Sequence, residues 1–222
     1  IKADFKLKEV YELIHKLQPQ ALIGSNHHLS PNPGEDFQMF EKDLPGKGTK
    51  NFATSADDIG NLPLEVCETI NGSWGFNLQD RKHKSEKELV QYLVKAAGYG
   101  SNLLLNVGPM PNGKIQEEHI ESLKKIGKWI KHNGQTIYNT KRGPIAPSDE
   151  IASTQNGNII YIHLLDNKKL EYNIEGFNSK FKKITYLNSG KKVSIKKSKE
   201  GLSIFLDDKE MDHIDTILKM EL

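Results

Sequence analysis

Carboxylate side chains are concentrated in one aromatic and apolar segment of the chain, GEDFQMFEKDLPG at residues 34–46. The segment contains Glu35, Asp36, Glu41 and Asp43. Apolar surroundings disfavour the ionised form of a carboxyl group, so its pKa rises and it can donate a proton near neutral pH. The segment is therefore a candidate source of a general acid.

A second segment, SNLLLNVGPMPNG at residues 101–113, joins an apolar run to a loop rich in Gly and Pro. Such a run is typical of a buried parallel strand whose carboxyl end leads into a functional loop. Asn106, Gly108 and Pro109 are predicted to shape the floor of a site without taking part in its chemistry. Gly108 and Gly113 are predicted to permit backbone conformations that other residues avoid.

Composition limits the classes of protein to which the chain can belong. Its 222 residues are 36% hydrophobic and 27% charged, as in ordinary globular proteins with one large or two modest domains. A net charge of +2 argues against a nucleic-acid partner. No apolar stretch approaches the roughly 20 residues of a membrane span, so no membrane partner is predicted. Cys67 is the only cysteine, which excludes an intrachain disulfide and a thiolate zinc cluster.

Hydrophobic periodicity predicts alternating helices and strands up to about residue 134. Apolar residues recur at helical spacing over Leu7–Leu17, and Ser85 and Glu88 form a capping box before a helix that ends at Gly98. The other elements predicted in this region are strands at 21–24, 36–40, 63–70 and 103–107 and a helix over 120–130. This alternation of strand and helix implies a mainly parallel sheet.

After Gly143 the pattern changes to short alternating segments, separated by turn signals such as Asn156-Gly157 and Ser189-Gly190. Strands are predicted at 159–165, 170–174, 181–187, 191–196, 202–206 and 216–220. The lysines between 180 and 199 are interpreted as the solvated face of edge strands. The predicted fold class is therefore α/β plus all-β, with an α/β domain over residues 1–142 and an antiparallel β-sandwich over 143–222.

In this order and spacing, the segments at 34–46 and 101–113 resemble those of glycoside hydrolase family 29, the retaining α-L-fucosidases. The resemblance extends from about Val10 to Tyr138 and continues more loosely through the β-domain. It implies that residues 1–142 are the C-terminal portion of an irregular (β/α)-barrel, followed by the β-sandwich. It also implies a fucosylated glycan as the partner and no metal or organic cofactor.

The resemblance places Glu41 where these enzymes carry the general acid/base, which protonates the glycosidic oxygen and then activates water. Glu35 is the alternative candidate for this role. The alternative to catalysis is a purely structural role for Glu41, paired with Lys42 or capping a turn.

His27 and His28 follow a predicted short strand, where barrel enzymes place substrate-binding residues. Neutral imidazoles can donate to and accept from sugar hydroxyls, so both residues are expected to bind the fucosyl unit. No metal site is predicted, because adjacent histidines point in different directions and no carboxylate lies at a known ligand spacing. The alternative is that one of the two only satisfies backbone groups.

Trp74, in NGSWGFN, resembles the aromatic residue that flanks the fucose pocket in close relatives. Its ring suits the C–H surface of the sugar and the C6 methyl group. The alternative is that Trp74 is a core residue, since most tryptophans are largely buried. Trp129 is expected to pack in the core.

The family's nucleophilic Asp lies in a Trp-Phe-Asp-Gly type of motif, and this sequence contains no such motif. The chain is therefore expected to be part of a longer enzyme whose nucleophile lies before Ile1. The alternative function is a non-catalytic carbohydrate-binding protein; a helper β-domain for protein contacts has less support. The resemblance also implies a periplasmic or secreted bacterial protein, while the oligomeric state stays undetermined.

Overall fold

The computed structural model describes residues 5–27, 29–46 and 59–222. Within these residues the chain divides into two compact units. The first unit contains residues up to Thr69 together with Ser101–Asn106, and the second contains Ile70–Gly100 and Val107–Leu222.

In the described part of the first unit, the chain forms a parallel sheet and one helix. The helix α1 spans Leu7–Leu17, and the strands, which lie in the order β1-β2-β3-β4, are β1 Gly24–Ser25, β2 Phe37–Glu41, β3 Leu64–Thr69 and β4 Ser101–Asn106. All three neighbouring pairs are parallel. The predicted mainly parallel sheet is thus confirmed for this unit, although β1 begins at Gly24, where the predicted strand was to end. Phe40 and Val66 are fully buried and form part of its core.

Most apolar side chains of α1 are not packed against the rest of the described chain. Tyr11 is buried, whereas Leu7, Val10 and Leu17 are exposed. The helix is therefore amphipathic as its spacing predicts, but most of its apolar face remains accessible.

The second unit begins with two helices, α2 over Glu86–Gly98 and α3 over Glu117–Asn133. The predicted capping box of α2 is confirmed: the Glu88 backbone N–H donates to Ser85 Oγ, and the Ser85 backbone N–H donates to Glu88 Oε2. Trp129 of α3 is buried, as expected.

Two antiparallel sheets follow the helices. One has the order β5-β6-β7-β12-β9 and the other the order β10-β11-β8. Their strands are β5 Lys141–Arg142, β6 Ile151–Asn156, β7 Ile159–Leu164, β8 Glu171–Glu175, β9 Lys183–Tyr186, β10 Ser194–Lys197, β11 Gly201–Phe205 and β12 Thr216–Glu221. Residues of both sheets share one hydrophobic core, including Ile162, Leu218 and Ile204. This arrangement is consistent with the predicted β-sandwich.

Strand β6 was not predicted, and its composition explains why. Ser153 and Thr154 are fully buried polar residues that interrupt an apolar pattern. The Ser153 hydroxyl donates to the Ile145 carbonyl and accepts from the Ile145 N–H, and the Thr154 hydroxyl donates to the Thr136 carbonyl. These hydrogen bonds offset the cost of burying hydroxyl groups, which sequence periodicity does not reveal.

Edge strands carry the lysines as expected. β10 lies at the edge of the three-stranded sheet, and its Lys196 and Lys197 are exposed. A charged edge discourages pairing with strands of other molecules.

Candidate functional site

The carboxyl ends of the parallel strands carry the polar residues of the first unit. Glu41 ends β2 and lies opposite Cys67 of β3, while Thr69 and Asn106 form the last pair between β3 and β4. Asn26 directly follows β1. Since ligands of parallel α/β sheets bind at the carboxyl ends of strands, this edge is the candidate site of the first unit.

Glu41 is half-buried and accepts a hydrogen bond of 2.7 Å at Oε2 from the side-chain Nδ2 of Asn26. Burial alternates along β2, so that Phe40 enters the core while Glu41 lies on the opposite face. The next residue, Lys42, has a left-handed φ of 58°, and its backbone N–H donates to the Cys67 carbonyl. The end of the strand is thereby held in place, and with it the backbone that carries Glu41.

Glu35, the alternative acid, is buried in a set of hydrogen-bond donors. Its carboxylate accepts from the Tyr11 hydroxyl at 3.3 Å, from His27 Nε2 at 3.2 Å, and from the Asn32 backbone and side chain at 2.9 and 3.0 Å. Burial raises its pKa, but the hydrogen bonds from Asn32 and His27 and the nearby His27 together outweigh burial, so the pKa of Glu35 lies below its ordinary value. A carboxylate held ionised in this way is unsuited to proton donation at neutral pH.

His27 uses both ring nitrogens within its own loop. The Leu29 backbone N–H donates to His27 Nδ1 at 3.0 Å, so Nδ1 is an acceptor and the neutral ring carries its proton on Nε2. Nε2 then donates to Glu35. The sequence prediction makes His27 a sugar ligand, and direct contact with a hydroxyl would require one of these bonds to exchange. His28 lies outside the described residues.

Two adjacent acids connect the loop to α1. Tyr11 and His15 lie one turn apart on the helix; Tyr11 contacts Glu35, and His15 Nε2 lies 2.9 Å from Asp36 Oδ2. The Ile23 backbone N–H also donates to Asp36, at 2.7 Å. This backbone bond and the His15 contact lower the pKa of Asp36.

The sequence prediction found His27 and Glu35 but missed the partners that hold them. Asn26 had one available signal: it follows a predicted strand and precedes the histidine pair. Tyr11 and His15 carried a weaker signal, since helical spacing places both on one face of α1. Nothing in the sequence connects that face to two acids more than twenty residues later.

Trp74 belongs to the second unit and lies in the loop between β3 and α2. It is half-buried, so it is not a fully buried core residue. This loop is in close contact with the loop that follows β4: a Cβ placed on Gly108 would lie 2.5 Å from the Gly75 carbonyl carbon and 2.6 Å from the Phe76 nitrogen.

The expected role of the two glycines is only half correct. Gly113 has a left-handed φ of 79°, as predicted. Gly108 is not among the residues with positive φ, and its lack of a side chain instead permits the close approach of two backbones.

Among the described residues, no group of three or more His, Cys, Asp or Glu side chains is arranged to hold a metal ion. In the same part of the chain, no helix combines the length and apolar character needed to cross a bilayer.

Comparison with known proteins gives a family match and similar structures. The family model for alpha-L-fucosidase matches residues 2–135. Plasma alpha-L-fucosidase of Homo sapiens is 30% identical over 161 residues, which cover 60% of this chain and 34% of that protein. Alpha-L-fucosidase of Branchiostoma floridae is 39% identical over 165 residues, which cover 62% and 37%.

Among solved structures, alpha-L-fucosidase isoenzyme 1 from Paenibacillus thiaminolyticus matches with a TM-score of 0.78 and 29% identity. The match covers 98% of this chain and 53% of that one. The chain therefore spans about a third of the length of the curated relatives it matches, and about half of this solved structure.

Proposed function

The chain belongs to the alpha-L-fucosidase family, and on that premise we propose that it acts in the hydrolysis of α-L-fucosides by a retaining mechanism, with Glu41 as general acid/base. The observation that carries the proposal is the position of Glu41. It ends a central strand of a parallel sheet inside the region that matches the family model. Carboxylates at such positions face the loops that bind substrate.

Glu41 has two tasks in this mechanism. It first gives its proton to the glycosidic oxygen as the bond to the anomeric carbon breaks, and it then takes a proton from the water that releases fucose. The hydrogen bond from Asn26 restrains the carboxylate during both steps. A retaining enzyme needs a second carboxylate about 5–5.5 Å away as nucleophile, and the proposal assigns that role to no residue of this sequence.

The substrate proposed is a fucosylated glycan or glycoconjugate. Trp74 presents its ring to the C–H face and C6 methyl group of fucose, and half-burial leaves part of its surface available for that contact. His28 supplies hydrogen bonds to the sugar hydroxyls. His27 contributes directly if its bond to Glu35 or to the Leu29 N–H exchanges with a hydroxyl.

One sequence observation favours a second candidate function. The absence of a Trp-Phe-Asp-Gly motif removes the family's usual nucleophile from these 222 residues. A protein that binds fucosylated glycans without cleaving them would keep the sugar contacts and need no nucleophile.

Hydrolysis of 4-nitrophenyl α-L-fucoside by the 222-residue chain tests both functions, with Glu41→Gln as the variant and Glu9→Gln, on the exposed side of α1, as the matched control. Turnover that is lost only in Glu41→Gln supports the proposal. Turnover equal in all three proteins contradicts the role of Glu41. Absence of turnover, with fucose binding retained by calorimetry, is expected both for the binding protein and for a hydrolase whose nucleophile lies outside these 222 residues. Turnover by a longer chain that includes the family's nucleophile motif, lost on Glu41→Gln, would distinguish the hydrolase from the binding protein.

The proposal extends to architecture and location. Residues 1–142 form part of a (β/α)-barrel and residues 143–222 a β-sandwich domain, and the protein functions in the periplasm or outside the cell. The parallel sheet of the first unit and the shared core of the two antiparallel sheets support the first point. Fractionation of the source cells, with the chain detected by antibody, tests the second.

A further inference from the structure

A pocket of about 460 Å³ lies in the second unit, on residues to which the proposed hydrolysis assigns no role. This volume falls within the range of about 300–1,000 Å³ that is usual for ligand sites. Its lining combines apolar and hydrogen-bonding side chains: Phe76, Asn77, Leu78, Asp80, Arg81, His83, Met110, Gln116 and Glu118.

Close packing of two loops builds the pocket before any ligand arrives. Phe76 comes from the loop after β3 and Met110 from the loop after β4, and the two loops are in contact where Gly108 meets Gly75. The second loop is closed by a turn in which the Met110 N–H donates to the Lys114 carbonyl, at 2.8 Å. A preformed site loses little conformational entropy on binding.

Hydrogen bonds also fix the polar wall of the pocket. His83 Nδ1 donates to the Arg81 carbonyl at 3.1 Å, so Nε2 accepts from Gln116 Nε2 at 3.3 Å. Gln116 Nε2 also donates to Glu118 at 3.4 Å. Behind this wall, the ring of the buried His119 packs edge-on against the His83 ring. Burial lowers the pKa of His119, and the nearby His83 lowers it further. The neutral form of the buried His119 is therefore favoured.

The remaining charged groups decide which ligands suit the pocket. Asp80 and Glu118 are carboxylates and Arg81 is a guanidinium, so these three side chains together carry one net negative charge. Anionic ligands are disfavoured by this balance. Within the described residues the Arg81 side chain makes no hydrogen bond or ion pair, and its planar fork of N–H donors is available.

We propose that this pocket binds a neutral saccharide unit. Phe76, Leu78 and Met110 contact the C–H faces of the sugar ring, which are its apolar surfaces. The carboxylates accept hydrogen bonds from sugar hydroxyls, while the Arg81 guanidinium donates to their oxygens. This combination of apolar and hydrogen-bonding side chains suits a ligand that is apolar on its faces and carries many hydroxyl groups at its edge.

NMR titration of the isotope-labelled 222-residue chain tests the proposal, with lactose and N-acetyllactosamine as neutral probes and 3′-sialyllactose as the anionic comparator. The variant is Arg81→Gln, and its matched control is Arg142→Gln, which changes the chain's other arginine at an exposed position. Glu41→Gln is measured in parallel.

We expect lactose or N-acetyllactosamine to shift the amide signals of residues 76–83 and 110–118. Arg81→Gln should raise the Kd at least about tenfold, which corresponds to the loss of one hydrogen bond to a charged group. Arg142→Gln and Glu41→Gln should bind as the original chain does, even where Glu41→Gln abolishes hydrolysis. Absence of these shifts, equal affinity of both arginine variants, or binding of 3′-sialyllactose alone would overturn the proposal.

Discussion

Asn26 Nδ2 lies 2.7 Å from Glu41 Oε2, although fifteen residues separate the two side chains in the sequence. The bond connects the residue that follows β1 with the last residue of β2. It therefore fixes the candidate acid by a contact between neighbouring parallel strands.

Replacement of Asn26 by Ala is predicted to slow hydrolysis of 4-nitrophenyl α-L-fucoside, because the Glu41 carboxylate loses a positioning donor. A hydrogen bond to a charged group corresponds to about a tenfold fall in kcat. Asn188→Ala, at an exposed turn, is the control and should leave kcat unchanged. If the two variants have the same kcat, the Asn26 bond does not orient Glu41 for catalysis.

The Glu35 network makes the first unit sensitive to acid. The pKa of Glu35 is lower in the folded chain than its ordinary value of 4.5, so the folded state binds fewer protons than the unfolded state in this range. The stabilisation is present above pH 4.5 and is lost as pH falls through the folded-state pKa. Asp36, whose pKa is also lowered, adds to the effect in the same direction.

Hydrogen exchange of the amides of residues 23–36 between pH 3 and pH 6 measures this dependence. Glu35→Gln should flatten the pH dependence of protection in this loop. A variant that retains the full pH dependence would show that the sensitivity arises elsewhere.

The alkylation rate of the Cys67 thiol depends on the charge of its neighbour Glu41 and can be measured without any catalysis. Burial raises the pKa of the Cys67 thiol, and the charges of Glu41, Glu65 and Glu68 raise it further. Glu41→Gln removes one of these charges, so the thiolate fraction grows and alkylation by iodoacetamide at pH 8 should accelerate about two- to threefold. Glu9→Gln is the control; equal rates in the two variants would contradict the pairing of Glu41 with Cys67.

A buried contact between a histidine and a carboxyl group stabilises the second unit. His163 Nδ1 lies 2.7 Å from Asp215 Oδ2, and both side chains are fully buried. Asp215→Ala leaves the imidazole without its partner and is predicted to reduce the free energy of unfolding by about 3–5 kcal/mol, measured by urea denaturation.

Asp215→Asn should cost less than Asp215→Ala, because the amide oxygen can still accept from His163. Asp149→Ala removes an exposed carboxylate that lies 3.5 Å from Lys95 and should change stability little. A loss in Asp215→Ala no larger than in Asp149→Ala would show that the buried pair does not stabilise the unit.

Sequence reasoning succeeded where the determining interactions are local. The capping box of Ser85 and Glu88 acts within one helical turn, and the Asn156-Gly157 signal marks a hairpin in which Gly157 adopts a φ of 54°. Strand β6 escaped prediction because the partners of its buried hydroxyls are backbone groups up to eighteen residues away.

The sequence by itself determined the α/β and all-β regions, most helices and strands, and the family to which the chain belongs. These follow from hydrophobic periodicity, turn residues and motif spacing, which are properties of short stretches. Only the tertiary structure decided that Asn26 meets Glu41, that Tyr11 and His15 hold Glu35 and Asp36, and that Gly108 is small because another backbone lies against it. Such contacts depend on strand register and loop packing, which bring together residues far apart in the chain and leave no periodic signal in its sequence.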